Sequence, residues 1–214
     1  MVLFAHSMTI TWHGFSCFEI ETKTSQGDVR IVIDHYDNAT GLRFPRTLTA
    51  EVLLVSHDEQ DANNTSAVLG NPYLINLQGE FEVKDVFVFG VPLNKGNLGF
   101  RIEAEGMRLA HLGALNRALT DEELQALENV DVLMVPVGGG RVLTPATAPE
   151  VIAQIEPRVV IPMTHGIEGV KEKLAGVDEF CKSLGACKRE EMNKFKFTRK
   201  DLPEEDMIIM SLTR

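Results

Sequence analysis

The 214-residue chain has only three cysteines, Cys17, Cys181 and Cys187, and no two of them form a CxxC pair. Three are too few for a disulfide framework, and that scarcity suits a reducing, cytoplasmic setting. Basic residues are also in short supply, 21 against 31 acidic ones, for a formal charge of -10. A surface of that sign repels phosphate backbones and anionic lipid, so neither nucleic acid nor a membrane is an expected partner. The one lysine- and arginine-bearing stretch, Lys188–Lys200, has nearly as many acids nearby and reads as ordinary surface. No apolar run approaches the roughly 20 residues of a membrane span. The opening MVLFAHSM lacks the basic and long apolar parts of a signal peptide. Met8 reads as the functional start, with residues 1–7 an extension and 8–214 a single domain. No repeat, low-complexity segment or linker divides it.

What is present is a globular composition, 44% hydrophobic and 24% charged, enough for a full core. Short apolar runs mark strands at Thr9–Trp12, Ser16–Glu21, Val29–Ile33 and Val52–Val55. More follow at Tyr73–Asn76, Phe81–Val83, Val86–Phe89, Phe100–Ala104 and Arg108–Leu112, separated by Gly, Asn or Pro. Buried strands are expected at Asp131–Val135 and Arg158–Met163, and a closing one at Met207–Leu212. Helices are expected over 62–69, behind the capping box Thr120–Glu123, behind a second box Thr147–Glu150, and over Val177–Leu184 before Gly185. Two strand-rich zones, each followed by helices, predict two sheets packed face to face with helices outside.

The stretch that organises the rest is Glu51–Asn64, EVLLVSHDEQDANN: a buried strand that runs into a loop of ligand-type side chains. Strand ends of this kind are where α/β architectures place chemistry. A metal hydrolase needs imidazole nitrogens and carboxylate oxygens that converge from several strand ends and leave a position for water. His57, Glu59 and Asp61 alternate along one loop, and an extended backbone would point them the same way. His111 and His165 each follow another strand. Every candidate has a plainer alternative. His57 could cap a loop, Glu59 could be solvated surface, Asp61 could cap the helix over 62–69, and His111 could be a satisfied inward histidine. Cys17 lies in a strand pattern and reads as core. The run Gly138-Gly139-Gly140 could admit a phosphate to backbone N–H groups, but a tight turn is the simpler reading.

Taken together, TWHGFSCFEIE, VRIVIDHYD, VLLVSHDEQDANN, RLAHLGALNRALTDEEL, DVLMVPVGGG and EPRVVIPMTH resemble the metallo-β-lactamase fold superfamily. The branch they resemble is that of small bacterial hydrolases similar to ascorbate-6-phosphate lactonase. The resemblance implies an α/β, four-layer αββα sandwich with a metal site at one edge of the sheets. It places Asp34 and His35 beside that site; with His111 after its strand and Gly139 in the glycine run, these are the candidates for substrate contact. The family's loop is His-x-His-x-Asp-His. Here its positions read His57, Glu59, Asp61 and Ala62, so the motif is degenerate. Ala114 stands where the family has a bridging aspartate, Leu93–Asn97 carries no histidine, and Thr164 separates Met163 from His165.

The metal set that remains is His57, Glu59, Asp61 and His165, with Asp61 also the catalytic candidate. It is rich in oxygen and suits at most one divalent ion, Zn, Mn or Fe, with no ion the equal alternative. His13 or His35 could stand in for lost ligands. Two functions follow. One is a mononuclear metal hydrolase of a small phosphorylated, lactone or ester substrate. The other is a catalytically silent scaffold that binds a ligand or partner, with a homo-oligomer among the possibilities.

Overall fold

A computed structural model describes residues 7–185 and 189–214. Most of the expected extension (1–6), together with Cys187 and Lys188, lies outside the described residues.

The chain opens with three antiparallel strands, β1 (Met8–Gly14), β2 (Cys17–Thr24) and β3 (Gly27–Ile33). In β1 every second residue is buried, so Met8, Ile10 and Trp12 face the core while Thr9 and Thr11 lie between them at the surface. β4 (Val52–Leu54) and β5 (Tyr73–Ile75) then add parallel to β3. A meander follows: β6 (Gly79–Val83), β7 (Val86–Pro92), β8 (Leu98–Ala104) and β9 (Met107–His111). Helix α1 (Asp121–Ala126) leads to β10 (Val132–Pro136), α2 (Ala148–Ile155) to β11 (Val159–Met163), and α3 (Val177–Leu184) to β12 (Arg189–Met192). β13 (Lys194–Phe197) and β14 (Ile208–Leu212) finish the fold.

Among the described residues the strands form two sheets. One has the order β13-β1-β2-β3-β4-β5 and the other β12-β14-β11-β10-β9-β8-β7-β6. Their facing sides share one apolar layer: Ile10, Phe18, Ile31 and Leu54 from the first, and Phe100, Leu109, Met134 and Ile161 from the second, are all fully buried. Each such side chain contributes about 1.5–3 kcal/mol. This layer holds the sandwich together. β10 and β11 are buried along their whole length because helices cover their other face. Phe180 of α3, Val151 and Ile152 of α2, and Leu127 at the end of α1 form that second layer.

The two-sheet α/β sandwich read from sequence is the observed fold, with one difference in its fourth layer. The outer face of the six-stranded sheet, Cys17, Val32 and Leu53, is covered by Tyr36, Leu42, Phe44, Leu48 and Val68. These come from irregular chain and 3-10 turns at Asn38–Thr40 and Thr65–Ala67, not from α-helices. The helix expected over 62–69 is absent for a local reason. Asn63 and Ser66 bond to the side chains of Asp58 and Asn64, and side chains of this kind compete with the helical backbone ladder.

Two further expectations are corrected. The box at Thr120–Glu123 forms, but Thr147 does not cap α2, because its hydroxyl accepts from the backbone N–H of Thr144 instead. The stretch read as plain surface after residue 188 contains β12 and β13, and in β13 Phe195 and Phe197 turn inward between exposed lysines. Of the cysteines, Cys17 is a free, buried thiol as expected, whereas Cys181 is disulfide-bonded. No helix among the described residues is long and apolar enough to cross a membrane.

Candidate active site

The parallel strands of both sheets point their carboxyl ends toward one edge of the sandwich. From β3 come Asp34 and His35, from β4 Ser56 and His57, from β9 His111, from β10 the glycine run and Arg141, and from β11 Thr164 and His165. The central group belongs to β4. Ligand atoms of His57, Glu59 and Asp61 lie within 4.8 Å of one another. Backbone N–H groups of Ala62 and Asn63 both donate to the Glu59 carbonyl, which curls the loop tightly. Asp61 therefore caps no helix. Its carboxylate turns back onto His57, with 3.2 Å between Oδ1 and Nε2.

His57 is held from behind. The Asp34 carboxylate, wholly buried, accepts from the Ser56 backbone N–H at 2.8 Å and from its hydroxyl at 2.6 Å. Ser56 Oγ lies 2.7 Å from His57 Nδ1. With its own proton given to Asp34, that oxygen accepts from Nδ1–H; in the cationic ring the second proton is on Nε2 and is donated to Asp61, and its loss leaves Nε2 with the lone pair. Burial pushes the His57 pKa down, but the hydrogen bond to Asp61 and the charges of Asp34 and Asp61 outweigh it and hold the ring above its ordinary value. Asp61 shows the converse. Burial raises its pKa, and His57 and Arg141 together bring it below the usual carboxylate range.

Arg141 is the residue that sequence reading missed. One guanidinium nitrogen forms an ion pair with Asp61 Oδ2, another lies 3.6 Å from Glu59 and 3.4 Å from His57 Nε2, and Nε lies 3.4 Å from Glu172. The glycine run aims it there. Gly139 and Gly140 adopt positive φ, and a Cβ on Gly138 would overlap the Thr164 carbonyl oxygen. The only sequence signal was an arginine directly after three glycines.

The other expected residues fall elsewhere. His165 does not join the converging group. Thr164 takes a left-handed φ of 48° and donates its N–H to the Phe15 carbonyl, and the chain turns there so that His165 stacks on Trp12, 4.7 Å between centroids. His111 is fully buried. Its Nε2 lies 2.9 Å from the Ser16 carbonyl oxygen and its Nδ1 accepts from Gly113 N–H at 3.2 Å, so its work is structural and it has no nitrogen left for substrate. Asp34 and His35 are also fully buried, the first as the support for Ser56 and the second bridged through its backbone to Asn63. Gly139 spends its N–H on the Leu143 carbonyl, so no phosphate cradle forms there and the run is the tight turn. His13 faces Glu19 at 3.1 Å and does not reach the group.

Two clefts flank His57. One, of about 440 Å³, is lined by Phe15, Thr40, Asp61, Arg141, Lys171 and Glu172. The other, of about 760 Å³, runs along His57, Asn63, Asn76, Asn94, Lys95 and Asn97. Asn97 is built in by two bonds, accepting from Ala114 N–H at 2.7 Å and donating to the Leu112 carbonyl at 3.1 Å. A larger groove of about 820 Å³ lies among Asp85, Glu103, Arg108, Asp131 and Arg158. It is at the opposite strand ends and contains none of the converging ligands.

A two-sheet sandwich that gathers a histidine and carboxylates at the carboxyl ends of its strands defines the metallo-β-lactamase class of fold. The comparisons agree. The sequence profile described as beta-lactamase superfamily domain matches residues 9–164, and the chain belongs to that superfamily. A UPF0173 protein of Pyrococcus abyssi is 28% identical over 189 residues, which span 76% of this chain and 85% of that one. A protein of Thermococcus onnurineus named UPF0173 metal-dependent hydrolase is 27% identical over 188 residues, 71% of this chain and 82% of its own. Among solved structures, a metallo-β-lactamase superfamily protein of Thermotoga maritima, named for Zn-dependent hydrolysis, superimposes with a TM-score of 0.79 at 31% identity. That match covers 96% of this chain and all of the other.

The donor set fits one divalent ion. It offers one imidazole whose tautomer Ser56 fixes with Nε2 outward, plus two carboxylates, leaving open positions on an oxygen-preferring ion. Arg141 holds the same oxygens.

Proposed function

We propose that this protein is a metal-dependent hydrolase with a single-ion site, held by His57, Glu59 and Asp61, and that it acts on a small phosphorylated, lactone or ester substrate. The observation that carries the reading is the convergence of those three ligand atoms within 4.8 Å at the end of β4, beside two open clefts. The names of the Thermococcus onnurineus and Thermotoga maritima relatives point the same way.

An ion held there supplies Lewis acidity toward a substrate oxygen and a water nucleophile at neutral pH. The chain's own groups do the rest. Asp34 and Ser56 keep the His57 ring in place and its Nε2 outward. Asp61 stays ionised, too weak a base to retain a proton, so its part is to orient the attacking water through a carboxylate oxygen. Lys171 on one side and Lys95 on the other give each cleft a cation for an anionic substrate group. The amides of Asn63, Asn76 and Asn94 offer neutral hydrogen bonds to the remainder.

The test is metal content by elemental mass spectrometry, with and without incubation in Zn²⁺ or Mn²⁺, followed by a screen of p-nitrophenyl esters and phosphates. The expected result is about one ion per chain. Both the ion and any hydrolysis should vanish in His57→Ala. Hydrolysis that survives in His57→Ala, or a protein that takes up no ion under either condition, would overturn the reading. The second possibility, a scaffold without chemistry, is favoured by one observation, the guanidinium already seated among the ligands.

A further inference from the structure

A cation already sits among the proposed ligands. Arg141 contacts all three members of the group: Asp61 through an ion pair, Glu59 at 3.6 Å and His57 Nε2 at 3.4 Å. Its fourth partner, Glu172 at 3.4 Å from Nε, lies across the cleft from them. One guanidinium thus faces three carboxylates and the His57 Nε2 that an ion would use. The arrangement is built rather than incidental. The turn that aims Arg141 is fixed by the Gly139–Leu143 and Leu143–Leu115 backbone bonds, and its glycines adopt dihedrals, or approach neighbouring backbone, in ways that side chains would disturb. Arg141 is about a quarter exposed, so it has an open side onto which it can withdraw.

We infer that Arg141 is an intrinsic counter-cation for this site, and that the guanidinium and a divalent ion exclude one another from the His57–Glu59–Asp61 group. This rests on the ligand set proposed above and adds its regulation. Two like charges separated by the width of one coordination shell repel strongly wherever water is partly excluded. The ion also needs the oxygens and the nitrogen that Arg141 engages. When no ion is bound, Arg141 neutralises two carboxylates that would otherwise repel each other and keeps the three ligands gathered. When an ion arrives, the guanidinium gives up Asp61 and Glu59 and keeps Glu172. The apparent affinity for the ion is then its intrinsic affinity reduced by the fraction of molecules in which Arg141 is seated. Such a site would load only at high ion concentration, or when an anionic substrate draws Arg141 into the cleft.

The experiment is direct titration of Mn²⁺, read by calorimetry and by electron paramagnetic resonance of the free ion, on the wild type, Arg141→Gln and Arg141→Lys. Arg141→Gln should bind Mn²⁺ about tenfold tighter or more than the wild type, and Arg141→Lys, which keeps the charge, should gain far less. The double variant Arg141→Gln with His57→Ala should lose the gained affinity. Equal or weaker Mn²⁺ binding by Arg141→Gln would overturn the inference. Should Arg141→Gln fail to fold, the wild type decides. The Nη–H signals of Arg141, assigned by their absence in Arg141→Lys, should be protected from solvent exchange without metal and should broaden as Zn²⁺ is added. Signals unmoved by saturating Zn²⁺ would count equally against the idea. The outcomes separate from those above. Tight binding by Arg141→Gln with none by the wild type sinks the wild-type hydrolase reading and leaves the counter-cation standing.

Discussion

The Ser56 hydroxyl stands between a buried carboxylate and a site histidine, 2.6 Å from Asp34 Oδ2 and 2.7 Å from His57 Nδ1. Neighbours in sequence just past β4, Ser56 and His57 are tied to Asp34, 22 residues before Ser56 at the end of β3, and through that tie β3 sets the orientation of the His57 side chain.

Ser56→Ala removes the donor to Asp34 Oδ2 and the acceptor for His57 Nδ1. The first loss leaves a buried carboxylate oxygen short of a partner and should cost about 1–3 kcal/mol in urea unfolding. The second frees the imidazole to turn, and Mn²⁺ affinity should fall roughly 10–100-fold. Unchanged unfolding midpoint and unchanged metal affinity together would show that the Asp34–Ser56–His57 chain positions nothing.

Acid should destabilise the protein before its carboxylates titrate. Burial holds both His35 and His165 down to about 4, against 6.5 for an exposed histidine. The unfolded chain therefore takes up protons first as the pH falls, and stability is lost between about 6.5 and 4, by roughly 3 kcal/mol for each ring. Above 6.5 neither contributes a slope. Urea midpoints from pH 7.5 to 4 should show the drop, and His165→Gln should reduce it. A flat profile through that window would rule this cause out.

The two ends of the glycine run should respond differently to alanine. At Gly138 the new Cβ would meet the fixed carbonyl oxygen of Thr164, so the turn must shift, at a cost of about 3 kcal/mol. At Gly140 space is open, the nearest atom being Glu172 Oε1 at 3.5 Å, and only the positive φ of 69° is strained, worth about 1–2 kcal/mol. Thermal melts of Gly138→Ala and Gly140→Ala give the order, and the reverse order would contradict the packing.

Glu123 anchors α1 from both sides. Its carboxylate accepts from the Thr120 backbone N–H at 2.8 Å and receives Arg117 in two bonds, 2.8 and 2.7 Å. The Arg117 pairing, first among the causes, holds Glu123 below the ordinary carboxylate range. Its contribution is thus full at neutral pH and lost as the pH falls through the depressed value. Since Arg117 is more than a third exposed, the pair itself adds little and most of the effect is the cap. Glu123→Ala should cost about 1 kcal/mol at pH 7. The gap from wild type should narrow as the pH falls below the ordinary carboxylate range, and a gap that stays constant there would assign the effect to packing.

Much of this architecture was legible in the chain because burial leaves a local trace. Val132–Pro136 and Val159–Met163 are apolar without interruption since both their faces are covered, and Leu98–Ala104 alternates since one face is not. α3 was read to the residue, Val177 to Leu184, because Gly185 ends it. The alternation of Lys194-Phe195-Lys196-Phe197 carried the same signal, but the surrounding charges obscured it.

For the site, the sequence by itself determined the inventory: His57, Glu59 and Asp61 on one loop. The tertiary structure decided which of the distant groups reach that loop. Asp34 meets Ser56 across 22 residues and Arg141 meets Asp61 across 80, while His165, expected as a ligand, turns away at Thr164 to stack on Trp12. The physical reason is range. Apolar periodicity is written over a few consecutive residues, whereas a hydrogen bond or ion pair acts only within about 4 Å and pays no regard to sequence separation. Which charges come that close is settled only once two sheets have packed.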